Sequence, residues 1–348
     1  MASNEAFSGA WADAGTTTPA HEIAKINALM RETIGQTTLP DNKQIPRHEL
    51  GADFKGMSSI LQKVAPIGEG RDREMLKDAS SYIYRQSDQG DLMAHVFQPT
   101  RPTELPRPAV VFFHGGFWDV SMPTQFVPHC LHFASRNAVG VTAEYRTSSK
   151  HGTGPIEAID DARALIRWLR SNAETLNIDS NRITVGGAAG GALMALLTAM
   201  PKDKEMPLVD GIDCRPQALI LFSALVNSTP GGQAAERFPN SKSAKRNSPT
   251  AHLRRKLPPM IFFHGKSDRQ TPFHEVESFR RKLRWRGNKC QVIDFERADH
   301  SFFNFNVSHV HFELTIGAAD RFLVENGLLD DEPGPQVSEH PAEDESVA

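Results

Sequence analysis

The sequence predicts an α/β fold, a mostly parallel eight-stranded sheet flanked by helices, and three observations carry that expectation. Short apolar runs ending in glycine, PAVVFFHGG and PPMIFFHG, read as strands buried on both faces. Longer segments space their apolar residues by three and four. Ile156, Ile159, Ala162, Leu165, Ile166 and Leu169 in PIEAIDDARALIRWLRSNAETLNI form one such amphipathic stripe. From Ser81 onward strands alternate with helices, which calls for crossover connections and a parallel sheet.

The elements follow in order. SYIYRQ and DLMAHVFQP are strands joined by the turn-forming run Ser87-Asp88-Gln89-Gly90. PAVVFFHGG follows, then a helix beginning near Thr124, the strand GVTAEYR and the amphipathic helix. The strand RITVGG, the helix GALMALLTAM and the strands QALILFSAL and PPMIFFHG come next. FHEVESFRRKLRWRG, CQVIDFE and HFELTIGAADRFLVENG complete the series as helix, strand and helix. Residues 1–80 read differently, rich in Gly, Ser, Thr, Pro and charge, with helical candidates HEIAKINALMRETI and MSSILQKVA. They are expected as an N-terminal extension that caps the site, before a domain at 81–328. The acidic, Pro-bearing stretch 329–348 is expected to be a disordered tail.

Composition removes several function classes. Against 39 basic residues stand 42 acidic ones, a net charge of −3 that gives no footprint for a nucleic-acid partner. Three cysteines, Cys130, Cys214 and Cys290, make no disulfide framework and show no metal-site spacing, and the histidines form no H-E-x-x-H motif. No cofactor or metal is expected. The N-terminus lacks the basic start and apolar run of a signal peptide, and no stretch approaches the ~20 apolar residues of a membrane span. A cytoplasmic location is the expectation.

Chemistry concentrates in four places. Gly186-Gly187-Ala188-Ala189-Gly190-Gly191 lies between a strand and a helix. It has neither the glycine spacing of a dinucleotide fingerprint nor the Lys-Ser/Thr of a P-loop. It fits a G-x-S-x-G elbow with Gly186 and Gly190 as the small residues, except that Ala188 stands at the nucleophile position. Two later strands end in loops offering Asp268 and then His300, the order nucleophile, acid, histidine. His114-Gly115-Gly116-Phe117-Trp118 follows the third strand, where a Gly-Gly turn exposes backbone N–H groups to a developing oxyanion.

Together these motifs resemble the α/β-hydrolase esterases of the hormone-sensitive-lipase-like and bacterial acetyl-esterase (acetyl-xylan-esterase-like) type. The resemblance runs from about Ser81 to Leu328, through HGGFW at 114–118, AEYR at 143–146, the segment from Lys150 to Arg170, GGAAGG at 186–191, FHGKSDRQTPF at 263–273 and DHSFFNF at 299–305. It implies a serine nucleophile at the position of Ala188, Asp268 as acid, His300 as base, and Gly115, Gly116 and Ala189 as oxyanion donors. The implied partner is a small-molecule ester with a short acyl group, O-acetylated sugars among them. Alanine at 188 blocks an acyl-enzyme, so the chain is read as a nucleophile-to-alanine form of a serine esterase. A natural ligand-binding pseudoenzyme and an amidase using the same triad are the alternatives. Phe117 and Trp118 are expected to line the substrate pocket, with Phe126, Phe302 and Phe303 near its mouth. Residues 227–258 read as a long connection of lid type, basic between 242 and 256. Glu144 and Arg146 read as a structural ion pair.

Overall fold

Buried apolar runs form the middle of a sheet in the computed structural model, which describes residues 63–64, 71–202 and 206–331. The strands are β1 (Lys63–Val64), β2 (Ser80–Arg85), β3 (Leu92–Phe97), β4 (Arg107–Phe113), β5 (Val139–Ala143), β6 (Ile178–Ala188), β7 (Ala218–Phe222), β8 (Met260–Gly265) and β9 (Cys290–Phe295). Their order is β1-β2-β3-β5-β4-β6-β7-β8-β9. The pairs β1–β2, β2–β3 and β3–β5 are antiparallel, and every pair from β5–β4 to β8–β9 is parallel. The eight expected strands are β2 to β9. β1 adds a ninth, and it lies in MSSILQKVA, so the described part of that segment is strand, not helix. The other helical candidate, most of the 1–80 extension, and the tail beyond 331 lie outside the described residues.

Eight helices flank the sheet among the described residues: α1 (Arg71–Met75), α2 (Val127–Ser135), α3 (Ser148–His151), α4 (Pro155–Ser171), α5 (Gly190–Ala199), α6 (Ser241–Arg246), α7 (Phe273–Trp285) and α8 (His309–Glu325). α4 starts where the sequence supplies a stop and a start. Pro155 occupies its first turn, and Glu157 accepts the Gly154 N–H at 3.1 Å. Its stripe buries Ala158, Ile159, Ala162, Leu165, Ile166 and Leu169, while Ile156 in the first turn stays exposed. Asp161 shares the buried face and takes Arg146 Nη2 at 2.8 Å and Arg85 Nη1 at 2.9 Å. The expected Glu144–Arg146 pair therefore does not form. A fully buried carboxylate is costly without cations, so Asp161 takes Arg146, and Glu144 pairs instead with Lys150 at 3.3 Å.

Parallel strands carry their following loops to one edge of the sheet, where α/β folds bind ligands. Here the loops after β4, β6, β7, β8 and β9 bring His114–Trp118, Ala189, Ser223, Asp268 and His300 to that edge. Behind it, Phe112, Phe126, Phe222 and Phe303 are all buried, with ring centroids 4.7 Å apart for Phe112–Phe126 and for Phe222–Phe303. The connection from 227 to 258 is built of α6 and two short 3-10 turns, Ala235–Arg237 and Pro249–His252.

Candidate active site

The turn between β6 and α5 has its apex at Ala189, one residue later than the sequence reading placed it. Ala188 still belongs to the strand and pairs with Phe222. Ala189 stands alone between strand and helix with φ 48° and ψ −112°, outside the regions an L-residue ordinarily occupies. Such backbone costs about 1–3 kcal/mol and persists only where its surroundings hold it. They do so here: the Ala189 N–H donates to Phe222 O at 3.2 Å, and its carbonyl accepts from Leu193 N at 3.1 Å and Leu225 N at 3.3 Å.

Gly186, Gly187 and Gly191 leave no room for a side chain, whereas a Cβ on Gly190 would come no nearer than 3.1 Å to Trp118 Cε2. A Cβ on Gly191 would lie 2.3 Å from the carbonyl oxygens of both Phe113 and His114. A Cβ on Gly187 would lie 2.6 Å from Phe113 O and 2.7 Å from Gly191 C. The strained apex and the crowded Gly191 thus fall in the frame Gly187-Ala188-Ala189-Gly190-Gly191, one residue beyond the frame 186–190. Neither alanine carries a hydroxyl.

The same geometry revises the oxyanion donors. The Gly115 N–H is taken by Gln125 Oε1 at 2.7 Å, and the Ala189 N–H by Phe222 O, so neither is available. Gly116, with φ 90°, remains of the three residues expected. With the apex at Ala189 the following amide is that of Gly190, the first residue of α5. The turn after β4 lies against it: a Cβ on Gly190 would sit 3.3 Å from Phe117 Cα. His114 lies buried at the start of the same turn. Burial pushes its pKa down to about 4, and it bonds through Nδ1 to Gly115 O at 2.8 Å, where the Tyr145 hydroxyl also donates at 2.8 Å.

The structure brings Asp268 and His300 together as the sequence expects. His300 Nδ1 lies 2.8 Å from Asp268 Oδ2, which leaves Nε2 as the atom of the ring that can take a proton. Asp268 is 5% exposed. It accepts from Gln270 N at 2.8 Å, Thr271 N at 2.9 Å and Thr271 Oγ1 at 2.7 Å. Burial alone would raise its pKa, but the hydrogen bonds and charge of His300, with the Thr271 donors, hold it below the ordinary carboxylate range. Ser223 Oγ fixes the histidine loop by donating to His300 O at 2.8 Å.

The two pocket residues separate. Phe117 is half-buried and stacks on the His300 ring, centroids 6.0 Å apart. Trp118 is 1% exposed and packs edge-on against Phe238 and beside Gly190, so it supports the elbow from within instead of lining a pocket. Phe126, Phe302 and Phe303, expected near the mouth, are likewise core.

One bridge escaped the sequence. Gln125, holding Gly115 N with its oxygen, donates Nε2 to Asn304 Oδ1 at 3.0 Å, and Asn304 Nδ2 donates to Ser301 O at 2.9 Å. The glycine turn is thereby tied to the loop of His300. Among the described residues no group of three or more His, Cys, Asp or Glu is placed to hold a metal ion.

Strand order, elbow and acid–histidine pair together define the class. Residues 110–304 match the alpha/beta hydrolase fold family, and the chain belongs to it. Relatives include a carboxylesterase, NlhH, of Mycobacterium tuberculosis, 35% identical over 103 residues, or 29% of this chain and 31% of that one. The chain thus spans about a third of the length of the curated relatives it matches at that identity. Esterase LipQ of the same organism is 23% identical over 303 residues, 82% of this chain and 69% of that one. Among solved structures, a thermophilic esterase of the planctomycete Thermogutta terrifontis superposes with a TM-score of 0.69 at 33% identity, covering 74% of this chain and 95% of that one. No helix among the described residues is long and apolar enough to cross a membrane.

Proposed function

We propose that this is the site of a carboxylic ester hydrolase whose nucleophile position, 189, is occupied by alanine. The observation that carries the reading is the hydrogen-bonded Asp268–His300 pair at the sheet edge that also bears the strained apex at Ala189. In a serine form, His300 Nε2 takes the hydroxyl proton as the oxygen attacks the ester carbonyl, then returns it to the departing alcohol. Asp268 holds the imidazole tautomer and stabilises the imidazolium. The Gly116 and Gly190 N–H groups stabilise the tetrahedral oxyanion. A water deprotonated by His300 then releases the acyl group. With alanine at 189 no acyl-enzyme forms, and the chain holds its ester without this turnover. Short acyl groups are the proposed substrates: structures of the Thermogutta terrifontis esterase, 34% identical, contain propionate and butyrate.

The test is Ala189→Ser assayed on 4-nitrophenyl acetate and butyrate. Removing a serine nucleophile from a protease costs about 2 × 10⁶ in kcat, so a gain of about 10³-fold or more over the parent chain is expected. Adding His300→Ala returns the rate to the parent level. A folded Ala189→Ser chain no faster than its parent would overturn the reading.

A further inference from the structure

The connection between β7 and β8 contains Lys242, Lys245, Arg246, Arg254, Arg255 and Lys256 between positions 242 and 256, with no acid among them. In the fold this stretch turns back onto the C-terminal end of α5. There it borders an open cavity of ≈ 390 Å³ whose lining includes Met200, Lys202, Lys242, Lys245, Arg246 and Arg254. Arg254 has a structural role, since its Nε donates to Met200 O at 2.9 Å and its Nη2 to Ala199 O at 3.2 Å, closing the last turn of α5. The three cations on α6 differ. Lys242, Lys245 and Arg246 lie at i, i+3 and i+4 of α6, which places them on one face of the helix. All three are exposed, and none forms an ion pair among the described residues. Like charges at this spacing repel, and nothing within the described chain neutralises them.

We infer that this cavity binds a small phosphate-bearing polyanion. Its volume falls within the range of about 300–1,000 Å³ found for small-molecule sites. Two ammonium groups and a guanidinium on one helix face, with no carboxylate among the described lining residues, make the environment that clustered anionic oxygens require. The cavity is distinct from the ester site. α5 is 10 residues long and carries the elbow at its other end, so about 15 Å of helix separates the two. Anion binding here is therefore independent of the hydrolase reading.

Calorimetric titration of the chain with pyrophosphate at low salt tests it, with melting temperature as a second readout. Saturable one-site binding is expected, with a melting temperature that rises with pyrophosphate concentration and not with sodium chloride of equal ionic strength. The paired substitution Lys242→Ala and Lys245→Ala, both at exposed positions, should weaken binding by about tenfold or more. Arg280→Ala with Arg284→Ala, on α7 beside a different cavity along β9, should leave it unchanged. No saturable binding, survival of binding in the α6 variant, or equal loss in the α7 control overturns the proposal. Tighter binding of hexaglutamate than of pyrophosphate would also overturn it, by making this face a surface for an acidic protein.

Discussion

At position 189 a methyl group occupies a backbone conformation that glycine adopts at less cost, and the reason lies in its neighbours. Gly187 and Gly191 admit no side chain, Phe222 takes the amide, and two leucine amides take the carbonyl. Gly191→Ala is therefore expected to destabilise the fold by about 1–3 kcal/mol or more, because the three nearest atoms its Cβ meets are all backbone. Urea denaturation followed by circular dichroism measures this, and an unchanged midpoint would contradict it. The register makes a sharper demand. Ala188→Ser places its hydroxyl on a residue still paired in the strand, so it should leave esterase activity at the parent level where Ala189→Ser raises it. The sequence could not choose between these positions. Gly-Gly-Ala-Ala-Gly-Gly reads alike in both directions and contains the Gly-x-Ala-x-Gly frame twice, at 186–190 and at 187–191. Only the backbone dihedral at Ala189 and the crowding at Gly191 separate the two.

Among elements, the strands β4, β6, β7 and β8 were legible because parallel strands buried on both faces are continuous apolar runs. The acid and histidine loops were legible because each follows such a strand. The bridge from Gly115 through Gln125 to Asn304 was not, since a hydrogen bond spanning 179 residues leaves no local pattern. Trp118 was misread for a related reason: an aromatic beside a functional turn looks the same in sequence whether it faces solvent or the underside of the elbow. The bridge predicts a kinetic effect. In the Ala189→Ser background, Gln125→Ala releases the Gly115 N–H and unties the glycine turn from the His300 loop. A fall in kcat of about ten- to a hundredfold is expected, in keeping with small displacements of reacting groups, with KM little changed. Gln125→Glu keeps the acceptor for Gly115 and loses the donor to Asn304, so it should fall between. Equal kinetics for all three chains would make the bridge passive.

Across the whole molecule, buried histidines set the response to acid. Burial pushes His95 and His114 down to about 4 and His129 down to about 3. The His129 ring lies among Phe112, Phe126, Phe222 and Phe312, and neither of its nitrogens has a hydrogen-bond partner among the described residues. In the unfolded chain each histidine titrates near 6.5. Between pH of about 6.5 and about 4 the unfolded state therefore binds roughly three protons that the folded state refuses, and stability rises with pH across that window. The stability these groups contribute is present above about 6.5 and is lost as pH falls toward about 4. Asp268, held below its ordinary range, adds a loss of the same sign at lower pH. The urea midpoint should be clearly lower at pH 5 than at pH 7.5, and an equal or higher midpoint at pH 5 would refute this assignment.

The elbow at Ala189 keeps its shape without the atom it would present to a substrate. Each alanine codon differs from a serine codon by one base, so the alanine and serine forms are adjacent in mutational space. No compensating change in the scaffold need accompany the step, because the strain at 189 is maintained by glycines and backbone hydrogen bonds that the exchange leaves untouched. On the proposed function, a gene encoding this chain passes in one such step from a protein that retains an ester to one that cleaves it, while the fold around the site stays constant.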